Sequence, residues 1–411
     1  MSIDVIDSAS ARPAPHLNDR NIHHAAATSS SIKTAPHSRN EVMMNEYPRT
    51  WVKTPLKESA ALSRAAGCRV FLKLENLQPS GSFKSRGVGN YMLCRLRERL
   101  TDSPNTPIHF YSSSGGNAGI ACAYAAQSLG YPATIVVPTA TKPAMISKMR
   151  TAGAHDVISH GASWQDADGY LRDEVLCKDP NGVYVPPFDH PDIWEGNKTT
   201  AYEIRDQLDE KPDVMICSVG GGGLFNGFIK AMHEMDWGDV PFLAMETIGA
   251  DSLNKSVIEG KHITLPRITS RATCLGAIRI ANKTWENMQA NKNVQSIALP
   301  DAEAAMGCWR LADDERILVE MACGVCVVLC YDGRLQKIMS SIGKKLTPQS
   351  RVVITVCGGS DISVESLYEM RKEYAWVEKT VSDGTNGSGA PGSFTIPVVV
   401  GHEHQIDRAT N

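Results

Sequence analysis

The stretch PSGSFKSRG, Pro79 to Gly87, sets one lysine, Lys84, among small polar residues directly behind Phe83. An amine presented this way can hold a phosphate or act as a nucleophile. A Walker-type phosphate loop needs a glycine immediately before the lysine and another five residues earlier. Phe83 occupies the first of those places, so the spacing weighs against that loop. The plain alternative is an exposed lysine in a flexible loop, and nine residues alone do not decide.

Three further loops carry unusual residues. SSSGGNAG, Ser112 to Gly119, joins an expected strand to an expected helix. Small residues there expose backbone N–H groups at the positive end of a helix, a seat for a carboxylate, and Asn117 adds a side-chain donor. An ordinary Ser/Asn helix cap would look similar. VGGGGLFNG, Val219 to Gly227, spends four consecutive glycines after a buried strand. That is costly in backbone entropy and suits a nest of N–H groups around a phosphate. The positions of Gly220, Gly222 and Gly223 do not match the dinucleotide fingerprint, so a compact monophosphate fits better. VCGGS, Val356 to Ser360, ends another strand, where a cysteine or hydroxyl could face a ring nitrogen.

Together these loops offer one amine, one phosphate nest, one carboxylate seat and one partner for a heteroaromatic nitrogen. Pyridoxal phosphate with an amino-acid substrate uses all four. A free lysine has a pKa near ~10.4, so about one in a few thousand is neutral at pH 7. An imine with the cofactor aldehyde removes that problem, and the cofactor then serves as the electron sink.

The elements that must position these loops alternate along the chain. Residues 70–76, 108–113, 133–138, 213–219, 241–246 and 351–357 read as strands. Residues 86–100, 117–129, 143–152 and 224–235 read as helices. This predicts an α/β fold with mostly parallel sheets covered by helices, and ligands at the strand-to-helix junctions. Residues 1–45 are poor in large apolar side chains and read as a disordered leader, and 376–411 as a flexible tail containing DGTNGSGAPGS.

A net charge of −3 supplies no basic field for nucleic acid or an acidic membrane. With no apolar run long enough to span a bilayer and no signal-like start, the chain reads as cytoplasmic. The 11 cysteines are odd in number and mostly lie inside apolar runs, which suits reduced thiols. Cys323, Cys326 and Cys330 read as one apolar helix, ACGVCVVLCY, rather than a zinc site.

With SFKSRG, SSGGNAG, WEGN (194–197), VGGGGL, METIGADS (245–252) and VCGGS in this order, the chain resembles the catabolic L-serine dehydratase/L-threonine deaminase family over about Tyr47 to Lys372. The resemblance implies a two-domain, tryptophan-synthase-β-like (fold type II) architecture. The large cofactor-binding domain would comprise 46–88 plus 185–375, and the small domain 89–184. Lys84 would form the cofactor imine and move the Cα proton. Phe83 and Cys274 would face the two sides of the ring, Asn117 its hydroxyl oxygen and Cys357 its nitrogen. Gly220, Gly221, Gly222, Gly223 and Leu224 would cradle the phosphate. Ser114, Gly115, Gly116 and Asn117 would hold the substrate carboxylate. Glu246, Ala250 and Ser252, with backbone oxygens of Gly220 and Leu275, match a site for a monovalent cation such as K+; the alternative for Glu246 is an ordinary helix-cap or salt-bridging acid. Cys274 and Gly115 depart from residues found in some members. The implied activity is conversion of L-serine to pyruvate and ammonia, with L-threonine as a second substrate, in a homodimer. A serine racemase, a β-replacement enzyme and a non-catalytic amino-acid-binding homologue remain as alternatives.

Overall fold

The computed structural model describes residues 47–102, 106–378 and 399–400. The expected leader and most of the expected tail lie outside these residues. The strands are β1 (Leu56–Glu58), β2 (Arg69–Leu74), β3 (His109–Ser112), β4 (Ala133–Val137), β5 (Asp156–Ser159), β6 (Gly182–Tyr184), β7 (Val214–Ser218), β8 (Phe242–Thr247), β9 (Val294–Leu299), β10 (Arg351–Val356) and β11 (Val399–Val400). Among the described residues they form two sheets, ordered β1-β2-β10-β7-β8-β9-β11 and β5-β4-β3-β6. Neighbours from β2 to β9 in the larger sheet are parallel, with antiparallel β1 and β11 at its edges. The smaller sheet is parallel throughout.

This is the α/β architecture that the alternating pattern requires. Strands β4, β7 and β8 are buried along their whole length, because helices cover both sheet faces. Strand β9 was not anticipated. Its Gln295 and Ser296 interrupt the apolar run, yet both are buried, and Ser296 accepts hydrogen bonds from Asn254 through its carbonyl and hydroxyl oxygens, each at 3.1 Å.

The topology explains why distant motifs converge. Strands β2, β10 and β7 are parallel neighbours, so the loops leaving their C-terminal ends emerge side by side. Those are the lysine loop, VCGGS and the glycine run. The chain passes to the smaller sheet through the helix Lys84–Asp102 and returns through Pro191–Gln207. These two helices pack closely through glycine. A Cβ at Gly87 would lie 2.7 Å from Asn197 Oδ1, and one at Gly196 would lie 2.7 Å from Asn90 Cβ. Gly196 and Asn197 end the WEGN motif, which thus supports the start of the lysine helix.

Below that start lies a buried ionic network. Arg86 donates to both oxygens of Glu75, each at 2.7 Å, and to both of Glu203, at 2.6 and 2.7 Å. Lys73 donates to Glu203 at 2.7 Å. Two cations face two carboxylates, so no buried charge is left uncompensated.

Candidate functional site

Lys84 is the first residue of its helix, two residues earlier than the sequence pattern indicated. The shift has a visible cause. The preceding loop is zipped to VCGGS: Ser82 and Gly358 form an antiparallel bridge, Phe83 N–H donates to Cys357 O at 3.0 Å, and Gly359 N–H donates to Gly81 O at 2.9 Å. The extended segment ends there and the helix starts at once. Lys84 Nζ donates to Pro187 O at 2.5 Å and lies 5.3 and 5.9 Å from the ring centroids of Phe83 and Phe188. Burial of the amine pushes its pKa down to about 8. Roughly one amine in ten is then neutral at pH 7.

The glycine run adjoins this amine through Phe188, the residue after Pro187. A Cβ at Gly221 would run into the Phe188 ring, and one at Gly223 would sit 2.6 Å from Phe188 O. Gly222 has φ +94°, which favours glycine, and a Cβ there would overlap the Thr284 hydroxyl. The helix Gly223–Glu234 begins at Gly222 with no side-chain cap. Its first turn therefore offers backbone donors with no side chain competing for them, at the positive end of the helix. These residues fit a phosphate. Leu224 is buried in the main core, and a Cβ at Gly220 would lie 3.3 Å from Leu275 Cα.

The Ser114–Asn117 loop opens the helix Asn117–Leu129, whose N-cap, Gly116, also lacks a side-chain cap. Polar side chains brace this loop. Ser113 Oγ donates to Asp168 Oδ1 at 2.6 Å, and Gly116 N–H donates to Ser114 Oγ at 3.3 Å. Gly115 faces Thr141, where a Cβ would lie 2.7 Å from the hydroxyl. Asn117 Oδ1 accepts from Ser360 N–H at 2.9 Å, and its Nδ2 donates to Glu320 Oε1 at 3.0 Å. The Ser114–Asn117 loop is thus tied to the loop after β10.

Cys357 is buried, with its Sγ 3.4 Å from Ser218 Oγ. Hydrogen bonds from the Cys217 and Cys323 thiols ease it toward the thiolate, against its burial. Cys274 is reached by solvent, but its thiol lies deep enough that desolvation, followed by the nearby Glu320, pushes its pKa up. Cys323 and Cys326 lie on the apolar helix Met321–Val327, which continues as a 3-10 turn through Cys330.

Glu246 caps a helix. Its carboxylate accepts from Leu253 N–H at 2.9 Å and Asn254 N–H at 2.7 Å, and burial pushes its pKa well up. Ala250 donates its N–H to Thr247 O at 2.8 Å, and Ser252 Oγ is buried without a hydrogen-bond partner.

Sequence reasoning missed Phe188, Thr284, Asp168, Ser218 and Glu320. Phe188 lies just before the WEGN segment, and a search for bulky residues beside that motif could have found it. Glu320 opens an apolar helix and carries no local signal.

The pattern of the family described as "Pyridoxal-phosphate dependent enzyme" matches residues 49–358. A Bos taurus protein named L-serine dehydratase/L-threonine deaminase is 42% identical over 324 residues, covering 78% of this chain and 95% of its own. An L-serine dehydratase from Saccharomyces cerevisiae is 39% identical, covering 77% and 95%. The crystal structure of a fungal L-serine ammonia-lyase from Rhizomucor miehei superposes with a TM-score of 0.71 at 39% identity, covering 79% of this chain and 99% of that one.

Proposed function

Because this chain belongs to the pyridoxal-phosphate-dependent enzyme family, and within it to the L-serine dehydratase/L-threonine deaminase family, we propose that it is an ammonia-lyase that converts L-serine to pyruvate and ammonia. L-Threonine, giving 2-oxobutanoate, is the second substrate. The observation that carries this reading is the placement of the desolvated Lys84 amine beside a glycine-lined, uncapped helix start, with a second uncapped helix start tied to the same group of loops.

Pyridoxal phosphate, when bound, supplies an electrophilic carbon and a sink for the charge left at Cα. The chain supplies the rest. Gly220 to Leu224 hold the phosphate, Phe83 and Cys274 flank the ring, Asn117 meets its hydroxyl oxygen, and Cys357 meets its nitrogen. The loop from Ser114 to Asn117 holds the substrate carboxylate and so fixes which bond at Cα faces Lys84. Lys84, already eased toward its neutral form by burial, takes the Cα proton.

Glu246, Ala250 and Ser252 are proposed to hold a monovalent cation. Two observations support this: a buried carboxylate bonded only to backbone N–H groups, and a buried hydroxyl with no hydrogen-bond partner. The two sheets are proposed to mark the large and small domains, with the boundaries given above. The proposal extends to a homodimer in the cytoplasm. No helix among the described residues is long and apolar enough to cross a membrane.

The test is a panel of L-amino acids assayed for 2-oxoacid, with D-serine measured in parallel. Pyruvate from L-serine, exceeding D-serine formation, is expected. D-Serine without pyruvate would make the protein a racemase, and neither product would leave a non-catalytic homologue.

A further inference from the structure

Glu320 belongs to none of the motif loops, yet two of its neighbours, Asn117 and Gly359, do. Its Oε1 accepts from Asn117 Nδ2 at 3.0 Å and from Asp361 N–H at 2.8 Å. Cys274 lies close enough to feel its charge and its hydrogen bond. The carboxylate is buried, and both donors are neutral.

The surrounding backbone leaves room for this group. Gly359 has φ +130°, and a Cβ there would overlap the Glu320 carboxylate. The second glycine of VCGGS therefore has a specific partner 39 positions earlier in the chain. Glu320 is the N-cap of the helix Met321–Val327, which crosses Asp301–Glu315 where Gly324 meets Gly307. The carboxylate thus projects from a firmly packed base. The 360–361 loop is also held by Lys142, which donates to both oxygens of Asp361 at 2.8 Å.

The effect falls on Asn117. Ser360 N–H fixes the amide oxygen and Glu320 fixes the amide nitrogen, so the side chain can neither flip nor rotate freely. An amide nitrogen carries two hydrogens. One goes to Glu320, and the other has no partner among the described residues. We propose that Glu320 is a positioning residue: it holds the Asn117 amide so that its remaining N–H addresses the ring hydroxyl oxygen of the cofactor. This rests on the cofactor reading above and adds to it the residue that sets the direction of the Asn117 donor.

The experiment titrates purified apo-protein with pyridoxal phosphate and follows the visible absorbance band and its pH transition. The proteins compared are wild type, Glu320→Ala, Glu320→Gln, Glu320→Asp, Asn117→Ala and the double variant Glu320→Ala/Asn117→Ala. Glu320→Ala should weaken cofactor binding about 10- to 100-fold, the scale of a hydrogen bond to a charged group. It should also displace the band or its pH transition in the same direction as Asn117→Ala. Glu320→Gln keeps an acceptor oxygen and should restore most of the wild-type behaviour. The double variant should be no worse than the poorer single variant, since Glu320 acts through Asn117. Should Glu320→Ala not fold, Glu320→Asp carries the test. It keeps a carboxylate but withdraws the oxygen, and should show the same displacement at smaller size. A wild-type band, pH transition and affinity in Glu320→Ala, or in Glu320→Asp standing in for it, would overturn the inference. So would additive losses in the double variant. A wild-type protein that binds no pyridoxal phosphate would instead remove the cofactor reading itself.

Discussion

The two uncapped helix starts of the site are built in opposite ways. At Gly222 the backbone has φ +94° and the cradle is braced from behind by Thr284 and Phe188, so no side chain fits. At Gly116 the backbone is extended, with φ −116°, and the nearest atom to a Cβ would be Ser114 Oγ at 3.9 Å. There the loop is held by hydrogen bonds from Ser113, Asn117 and Ser360. A seat made by removing side chains against rigid neighbours suits a group that stays bound. A seat made by polar pins, with room left over, suits a group that comes and goes. That difference supports the proposed assignment of the first to the phosphate and the second to the substrate.

In the proposed mechanism Lys84 serves both seats, so its loss should have the largest effect. Lys84→Ala should lower turnover by at least ~10²–10⁴-fold, the range for a lost general base, with the fold intact. Turnover within a few-fold of wild type would remove Lys84 from the mechanism.

The comparison itself is tested by the same change at both caps. Gly222→Asp should weaken pyridoxal phosphate binding by roughly two to three orders of magnitude. It places a carboxylate against a phosphate, and such repulsion is worth several kcal/mol at short range. Excess cofactor should recover part of the activity by mass action. An alanine at 222 is not a mild control on size alone, because its Cβ would meet the Thr284 hydroxyl at a strained φ. Gly222→Ala should therefore lose cofactor too. Gly116→Ala should leave cofactor binding unchanged and raise KM for L-serine by about 3- to 10-fold, a perturbed hydrogen bond at the seat. Equal losses of cofactor affinity in the two alanine variants would break the distinction between the seats.

The smallest effect is on stability. Burial holds Lys84 near pKa 8 in the folded apo-protein, against 10.5 ordinarily. Between those values the unfolded chain carries the extra proton, so stability gains a term that rises with pH. Relative to Lys84→Met, apo wild type should gain in urea midpoint from pH 8 to 10.5. A flat difference would mean the amine is not desolvated.

How legible was this site in the sequence? Loops whose chemistry is local could be read directly. Four consecutive glycines after a buried strand point to a nest, and the lysine among small residues gains meaning only in their company. The fold class followed from apolar runs alternating with helical segments. What could not be read depends on pairs far apart in the chain. Asn117 meets Glu320 across 203 positions, and Thr284 meets Gly221 across 63. Nothing local marks Glu320, which looks like the ordinary polar start of an apolar helix. Strand β9 was hidden because buried Gln295 and Ser296 break its hydrophobic run. The helix start at Lys84 depends on the zipper to Cys357, whose two strands, β2 and β10, are paired although far apart in the chain.

The central claim is that the Lys84 amine and the glycine nest serve one pyridoxal phosphate. Its most direct test is borohydride reduction of the purified, cofactor-loaded protein, followed by digestion and mass mapping. The account predicts a phosphopyridoxyl group fixed on the peptide that contains Lys84, and on no other lysine, with Gly222→Asp reducing its yield. Label on a different lysine, or full Lys84 labelling in Gly222→Asp at limiting cofactor, would contradict it.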